Sequence, residues 1–410
     1  PFLISYAAWI LRDAERRGIG RIYFLARDGQ VLLDLARALA PRLGLDHIDC
    51  RYLYASRQAW LRNVADLQAT SAGHWLWWGV WQGFVAGQTT LANLKRRLGV
   101  PGSDLDAGLA EAGFGPGSDD RPVAAEDVPR LEDFFRSEAF AAALAGSRAA
   151  NRRLLHDYLA QEGLFDPVPS AMVDIGWAGN LHAALAGMQE AAGAAPAHGY
   201  YFGFNAKQLE GRAAQRSRFQ YDFDDPDALA RFKPAFKQDL VEIYTEIFCA
   251  ADHGTLAGFH VEDGRVVPDL VPGWERHMQD WGLPVVRRSL AAACAHLDTD
   301  GIDLTALEAM RGPIRGLLEA LWTRPSAAEA RAWGAFPVEI GEGRGSRAVP
   351  LAEPYRPADL AGLLAGRSRM RRHIYFWTDG ALAMTPPPLR ATLVALRAAR
   401  RRMRGDGGDE

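Results

Sequence analysis

The stretch Arg21-Ile22-Tyr23-Phe24-Leu25-Ala26-Arg27-Asp28-Gly29 decides the fold of this chain. Its residues 22–26 form a short, continuous apolar run, which favours a strand buried on both faces of a parallel sheet. Arg27-Asp28-Gly29 predicts a turn, and apolar residues at helical spacing from Val31 to Leu39 predict a helix after it. Strand, turn and helix in this order begin a parallel α/β sheet.

Other stretches predict the remainder of this sheet. Before the first strand, Phe2, Tyr6 and Trp9 lie on one helical stripe and predict a helix that ends at Gly18. Three more apolar runs predict strands, and they cover residues 52–55, 170–173 and 199–204. We therefore predict an α/β fold with a Rossmann-like parallel sheet.

The patterns along the chain divide it into four regions. Residues 1–66 and 168–260 form the Rossmann-like core, and the helical patterns of residues 67–167 predict a cap-like insertion. Residues 261–388 are mainly helical, and residues 389–410 predict a basic helix and a disordered tail. Within the insertion, residues 67–94 carry no charge and many tryptophans. Three interpretations stay open for that run: a buried helix, which we favour, a Trp-lined pocket and a membrane span.

Composition excludes several classes of protein. The chain has 410 residues, of which 48% are hydrophobic and 24% charged, so it is neither a disordered chain nor a fibre. Its net charge of −3 provides no global positive field for nucleic acid. Cys50, Cys249 and Cys294 lie far apart and do not predict a disulfide framework. No signal-peptide pattern is visible, so we expect a cytoplasmic protein, and a start at Pro1 suggests a piece of a longer one.

Polar residues follow the predicted strands. In a parallel sheet, ligands bind outside the carboxyl ends of the strands, where helix N-termini attract anions. Asp28 and Asp174 are the carboxylates that we predict to hold Mg²⁺, which prefers oxygen ligands. The predicted phosphate-binding residues are glycines that let the backbone approach an anion, and polar side chains beside them. They are Gly29, Ser56, Arg57, Gly176, Gly179 and Asn180.

Each of these residues also has a structural interpretation. Asp28, Ser56 and Asp174 are of the types that cap helix N-termini. The histidines of the chain show no metal-ligand spacing, and we expect them to be structural. The arginines of the C-terminal helix could contact anionic lipid headgroups, but a solvated tail is the favoured interpretation.

Three segments together resemble a bacterial group of predicted hydrolases of the haloacid-dehalogenase-like superfamily. Members of this group are linked to, or fused with, glycosyltransferases of capsule and O-antigen synthesis. The similarity covers roughly residues 1–259, with residues 251–259 as a weaker match. The three segments are Arg21-Ile22-Tyr23-Phe24-Leu25-Ala26-Arg27-Asp28-Gly29, Tyr52-Leu53-Tyr54-Ala55-Ser56-Arg57 and Val173-Asp174-Ile175-Gly176-Trp177-Ala178-Gly179-Asn180.

The resemblance implies a Rossmann-like sheet with a helical cap, and Mg²⁺-dependent attack on a phosphoryl group by an aspartate at the first strand end. A second aspartate two residues later acts as general acid, and a Ser or Thr at the next strand end binds phosphate. A lysine neutralises charge, and a later aspartate completes the metal site. In this chain Asp28-Gly29 match the second aspartate and its glycine, Ser56 the hydroxyl and Asp174 the late aspartate.

Two positions depart from the pattern. Ala26 stands at the nucleophile position, and Lys95, the one lysine between Ser56 and Asp174, lies in a basic helical run that we predict to be on the surface. If Asp28 were the nucleophile in a shifted register, Gln30 would replace the acid.

Three functions therefore stay open. The first, which we favour, is a phosphohydrolase-type module, degenerate at Ala26, with Asp28 as its catalytic residue. It would act on a sugar phosphate or similar phosphoester in surface-polysaccharide synthesis. The second is a catalytically inactive module that binds such a ligand or a partner glycosyltransferase. The third is a glycosyltransferase that uses a nucleotide sugar.

Overall fold

A computed structural model gives the fold of the chain. It describes residues 1–57, 59–60, 90–92, 95, 102–115, 117–177, 179–204, 216–222, 245–340, 347–364 and 376–403. Most of the Trp-rich run at 67–94, whose interpretation was open, lies outside the described residues. The chain forms two compact units. The first unit is Pro1–Lys233, Phe248–Met310 and Gly341–Ser346, and the second is Pro234–Ile247, Arg311–Ile340 and Arg347–Glu410.

The first unit is built on a five-stranded parallel sheet. Its strands are β1 (Arg21–Leu25), β2 (Asp49–Leu53), β3 (Ser170–Asp174), β4 (His198–Phe204) and β5 (Arg216–Asp222). Their order across the sheet is β2-β1-β3-β4-β5, and Phe24 lies opposite Tyr52 on one side and Val173 on the other. The predicted α/β fold with a parallel sheet is confirmed, and β5 is a strand that the sequence analysis did not predict.

Helices cover both faces of this sheet, which explains why its strands are continuous apolar runs. On one face Trp9 packs edge-on against Tyr200, with ring centroids 5.6 Å apart. On the other face Tyr23, Leu159 and Leu185 belong to one buried cluster. The helices of this part are α1 (Phe2–Arg17), α2 (Gly29–Leu39), α3 (Gly102–Glu111), α4 (Val128–Phe135), α5 (Glu138–Gln161) and α6 (Asn180–Ala191).

Between β2 and β3, the described residues of the insertion are mostly helical, as predicted. Leu105 on α3 and Phe134 on α4 are buried in a small apolar cluster of their own. The prediction that Lys95 lies on the surface is wrong, because its side chain is 16% exposed and ion-paired. Its ammonium donates to Asp106 at 2.6 Å and to Asp119 at 2.7 Å, so it ties α3 to the following loop.

The rest of the first unit begins with a hairpin. Strands β6 (Leu256–Glu262) and β7 (Arg265–Leu270) are antiparallel, and the predicted Asp263-Gly264 turn joins them. Both turn residues have positive φ, at 48° and 75°, which is the geometry that an Asp-Gly pair favours. Three helices follow, namely α7 (Trp274–Trp281), α8 (Leu283–His296) and α9 (Leu304–Ala309).

In the second unit the helices pack around tryptophans. The buried Trp377 donates its indole N–H to the Trp322 carbonyl at 2.9 Å. Apolar spacing typical of a helix continues over residues 304–321, yet α9 ends at Ala309 and a new helix begins at Arg311. The helices are α10 (Arg311–Thr323), α11 (Ala327–Gly334), α12 (Pro357–Leu364), α13 (Thr378–Met384) and α14 (Pro387–Met403), and a hairpin joins β8 (Pro337–Ile340) to β9 (Arg347–Pro350).

Further predictions concerned disulfide bonds, the C-terminal helix and a membrane span. Cys50, Cys249 and Cys294 are free and buried, so no disulfide links them. The predicted basic C-terminal helix corresponds to α14, while residues 404–410 of the predicted tail lie outside the described part of the chain. Among the described helices, none combines the length and the apolar character that a membrane span requires.

Candidate functional site

The strand order places a ligand crevice beside β1. The chain runs from β1 to β2 on one side and returns to β3 on the other, so β1 and β3 flank the point where the order reverses. In sheets of this order, ligands bind outside the carboxyl ends of the strands at that point. Asp174 is the last residue of β3, and Asp28 follows the end of β1. The topology therefore brings the two predicted carboxylates to one edge of the sheet.

Gly29 fixes the turn after β1. A Cβ at this position would lie 2.6 Å from the backbone carbon of Phe24, so only glycine lets the chain fold back so tightly. Helix α2 begins at Gly29, and the Asp28 carboxylate before it makes no capping hydrogen bond. The interpretation of Asp28 as a helix cap is thus wrong, and its carboxylate does not satisfy the amides of α2.

The turn after β3 is equally tight. The Gly176 amide donates to the Asp174 carboxylate at 3.5 Å, and the Tyr6 hydroxyl donates to the Asp174 carbonyl at 3.0 Å. A Cβ on Gly176 would come within 2.8 Å of the Gly203 carbonyl oxygen. Gly179 has φ of +71° and precedes α6, so both predicted glycines of this turn are needed by the backbone.

Asn180 carries an unsatisfied atom at the start of α6. Its side-chain oxygen is buried and has no hydrogen-bond partner among the residues that the structure describes. A buried polar atom without a partner costs free energy, so such an atom commonly marks a place for a ligand, an ion or a water. An oxygen accepts hydrogen bonds or binds cations, so it suits a metal ion or a ligand hydroxyl better than the predicted contact with phosphate.

Ser56 has a structural role after β2. Its hydroxyl accepts from the Ala59 amide at 2.9 Å and donates to the Leu256 carbonyl at 2.7 Å. Because a hydroxyl has one proton, Ser56 cannot donate to a phosphate while it holds Leu256. Arg57 next to it is exposed.

A segment that the sequence analysis did not assign to the site also reaches this edge. Gln30 on α2 donates to the Asp252 carboxylate at 2.7 Å and accepts from the Asp252 amide at 3.0 Å. Arg287 on α8 donates to the other Asp252 oxygen at 3.0 Å and also to the Gln30 side chain. The residue two positions after Asp28 is thus a fully engaged amide that cannot serve as an acid.

Tyr52 and His253 form a second connection to this segment. His253 Nδ1 lies 2.8 Å from the Gly254 carbonyl, so Nδ1 carries the proton, and Nε2 lies 2.8 Å from the Tyr52 hydroxyl. Burial lowers the pKa of His253, which keeps the ring neutral and lets Nε2 accept from Tyr52. The pKa of Tyr52 is raised by burial, and also by the nearby charges of Tyr54, Asp28 and Asp252.

The donor set at this edge suits Mg²⁺ bound through few protein ligands. Within the described residues, no group of three or more His, Cys, Asp or Glu side chains could enclose a metal. Mg²⁺ is commonly held by one or two carboxylates together with the phosphate of a substrate. Asp28 and Asp174 would supply the two carboxylates here. The orphaned oxygen of Asn180 fits the same interpretation.

Among the residues that the structure describes, neither the nucleophile nor the lysine of the resembled family has a counterpart at this edge. Ala26 provides only its amide, which donates to the Leu53 carbonyl at 2.9 Å. Lys95 is occupied by two aspartates of the insertion.

Comparison with protein-family models and with curated proteins finds no match to this chain. Gln30, Tyr52 and Arg287 were missed in the sequence, because their partners lie 222, 201 and 257 residues away along the chain. The weak similarity of residues 251–259 was the one signal that pointed to this segment.

Proposed function

We propose that this chain is a haloacid-dehalogenase-like module that binds a sugar phosphate or a similar phosphoester together with Mg²⁺ and does not hydrolyse it. The observation that carries the proposal is the placement of Asp28 after β1 and of Asp174 at the end of the adjacent β3, with Ala26 at the nucleophile position. Carboxylates, glycine turns and the starts of two helices together provide the contacts that a metal-bound phosphate requires.

Each residue has a defined part in binding. Asp28 and Asp174 would hold Mg²⁺, which neutralises the charge of the phosphate oxygens when it is bound. The backbone amides at the start of α2, after Gly29, and of α6, after Gly179, would donate to those oxygens. Exposed Arg57 would add a positive charge at the rim. The resemblance of the segments supports a ligand from surface-polysaccharide synthesis.

The absence of turnover follows from the side chains. An alanine at position 26 has no atom that can attack phosphorus. If Asp28 attacked instead, the residue two positions later would have to donate a proton. That residue is Gln30, whose amide is held by Asp252 and Arg287. Whether position 26 or Asp28 is taken as the nucleophile, one of the two carboxyl groups that hydrolysis requires is missing.

A second function is favoured by the carboxylate of Asp28. It does not cap α2, and in a shifted register it would be the group that attacks a phosphoryl group. Hydrolysis of this kind would transfer the phosphoryl group to Asp28 and then to water, with release of inorganic phosphate.

One experiment separates the two functions. Thermal unfolding is measured with a panel of sugar phosphates, with and without Mg²⁺, and phosphate release is measured on the same samples. We expect Mg²⁺-dependent stabilisation without phosphate release, and loss of the stabilisation in Asp28→Asn and in Asp174→Asn. Asp280→Asn, on an exposed part of α7, is the control and should keep it. Mg²⁺-dependent release that Asp28→Asn abolishes would establish the hydrolase instead.

A further inference from the structure

Three aromatic rings meet beside Asp28. The rings of Tyr52 and Tyr54 are 5.1 Å apart at an interplanar angle of 79°, and His253 lies 5.7 Å from Tyr52 and 5.3 Å from Tyr54. We call Tyr52, Tyr54 and His253 the aromatic corner. It adjoins the phosphate edge, because the Tyr52 hydroxyl lies 3.4 Å from the carbonyl of Arg27, the residue before Asp28.

Two of the three side chains of the aromatic corner make hydrogen bonds within the protein. Tyr52 donates to His253, and His253 is anchored on the Gly254 carbonyl. These bonds fix the orientation of both rings and therefore of the surface that they form. The corner is thus organised before any ligand arrives, which lowers the conformational entropy that binding costs.

Tyr54 differs from its neighbours. Its ring is half-buried, and its hydroxyl makes no hydrogen bond to any residue that the structure describes. Tyr158, in contact with the same strand end, uses its hydroxyl to accept from the Tyr54 amide at 2.9 Å. The backbone of Tyr54 is therefore held in place, its ring packs partly against the core, and its phenol oxygen is not engaged by any described residue.

The cation of Arg27, next to Asp28, contacts a further aromatic ring. The guanidinium of Arg27 lies over the ring of Trp274, 5.1 Å from its centroid. This contact positions Arg27 at the same strand end as the aromatic corner. Small-molecule sites are typically lined by aromatic side chains with a few polar groups that fix orientation, and the groups at this edge are of that kind.

We propose that the aromatic corner is a subsite for the hexose ring of the phosphorylated ligand, with Tyr54 as the contact residue. This inference rests on the proposed phosphate site and adds the part of the ligand that gives selectivity. The C–H face of the hexose would pack on the phenol ring of Tyr54. A hexose hydroxyl would bond to the Tyr54 oxygen, so inorganic phosphate would bind without this contact.

The test is calorimetric titration in Mg²⁺ with two probes, inorganic phosphate and glucose 1-phosphate. We expect wild type to bind glucose 1-phosphate about tenfold more tightly than phosphate. Tyr54→Ala should remove that difference and leave the Kd for phosphate unchanged. Tyr54→Phe, which keeps the ring and the packing, should retain part of it. Trp333→Ala, a partly exposed aromatic in the second unit, is the control and should behave as wild type.

The outcomes separate the subsite from the phosphate site. If phosphate and glucose 1-phosphate both bind and Tyr54→Ala and Tyr54→Phe leave their ratio unchanged, the subsite is overturned while the phosphate site stands. If wild type binds neither probe, the proposed function fails and the subsite fails with it. If uridine monophosphate binds more tightly than glucose 1-phosphate through Tyr54, the corner binds a base, and the assignment to hexose is wrong.

Discussion

The two ends of the parallel sheet carry similar polar side chains and use them differently. At the amino end, Arg21 donates to Asp49 at 2.9 Å, to Asp166 at 2.7 Å and to a carbonyl after α5 at 2.8 Å. Arg51 donates to the same Asp49 at 2.8 Å and to a neighbouring carbonyl at 2.8 Å. These charges satisfy one another and fasten the end of the insertion to the sheet.

At the carboxyl end the polar groups are left incomplete. Among the described residues, the buried Asn180 oxygen has no hydrogen-bond partner, and the Tyr54 hydroxyl bonds to none of them. Unsatisfied groups beside a strand-order reversal are characteristic of a site that a ligand completes. The amino end is not fully saturated either, because the buried Nδ1 of His198 has no hydrogen-bond partner among the described residues. What distinguishes the carboxyl end is that its unsatisfied groups lie beside the strand-order reversal.

The largest effect on stability is expected where β4 packs against the turn that follows β3. In Gly203→Ala the new Cβ would lie 2.1 Å from the ring of Trp177. Because that ring is buried, the substitution should lower the free energy of unfolding by about 3 kcal/mol in urea denaturation. Gly115→Ala, with nothing within 4 Å of its Cβ, is the matched control. Equal stability of the two variants would show that the turn is not packed as described.

Removal of the charge network at the amino end should be nearly as costly. Arg21→Ala removes the bonds to Asp166, to Asp49 and to the Gly163 carbonyl, so we expect a loss of about 2 kcal/mol in urea denaturation. Sugar-phosphate binding should stay unchanged. Arg153→Ala, whose side chain is 87% exposed, should change the free energy of unfolding by about 0.5 kcal/mol or less. A loss of binding in Arg21→Ala would contradict the separation of the two ends.

The free energy of unfolding should also depend on pH, through a histidine at the amino end of the sheet. Burial, and secondarily the charge of Arg17, lower the pKa of His198 to about 4. The unfolded chain binds this proton near pH 6.5, so stability is fully present above that pH and is lost as the pH falls toward 4. We expect His198 to account for a loss of about 1.5 kcal/mol between pH 7 and pH 5. His198→Gln should flatten the profile, and an unchanged slope would refute the assignment.

The smallest effect on stability is expected for Asp28→Asn. The substitution keeps the shape of the side chain and removes no helix cap, so the free energy of unfolding should change less than in Arg21→Ala in urea denaturation. The ligand-induced rise in Tm should nevertheless disappear. A large loss of stability would place Asp28 with the structural charges of the amino end.

The sheet was predictable from the sequence because its strands are distinctive. The runs that became β1, β3 and β4 are largely apolar and bounded by turns, so local pattern reveals them. Strand β2 lies at Asp49–Leu53, earlier than the predicted residues 52–55, because its first half carries Asp49 and Arg51. Strand β5 begins Arg216-Ser217-Arg218 and lacks such a run, so local pattern did not reveal it. The break at Met310 was missed because apolar spacing continues through it.

The candidate site was only half predictable. Asp28, Gly29 and Asp174 lie at strand ends, where a general rule of parallel sheets indicates function. The bonds of Gln30 with Asp252, and of Tyr52 with His253, join residues more than 200 positions apart. The spacing of apolar residues along the sequence does not predict such long-range hydrogen bonds. Ser56 shows the converse, because its residue type fits both a phosphate ligand and a cap, and its hydroxyl is used as a cap.

Hydrogen exchange tests the central claim most directly, since it reports both ends of the sheet at once. Amide exchange would be followed by mass spectrometry with Mg²⁺ alone and with Mg²⁺ and glucose 1-phosphate. The account predicts protection in peptides covering residues 26–32, 54–57 and 174–182, with no change at residues 49–51 and 162–166. Protection at the amino end, or none at the carboxyl end at saturating ligand, would contradict it.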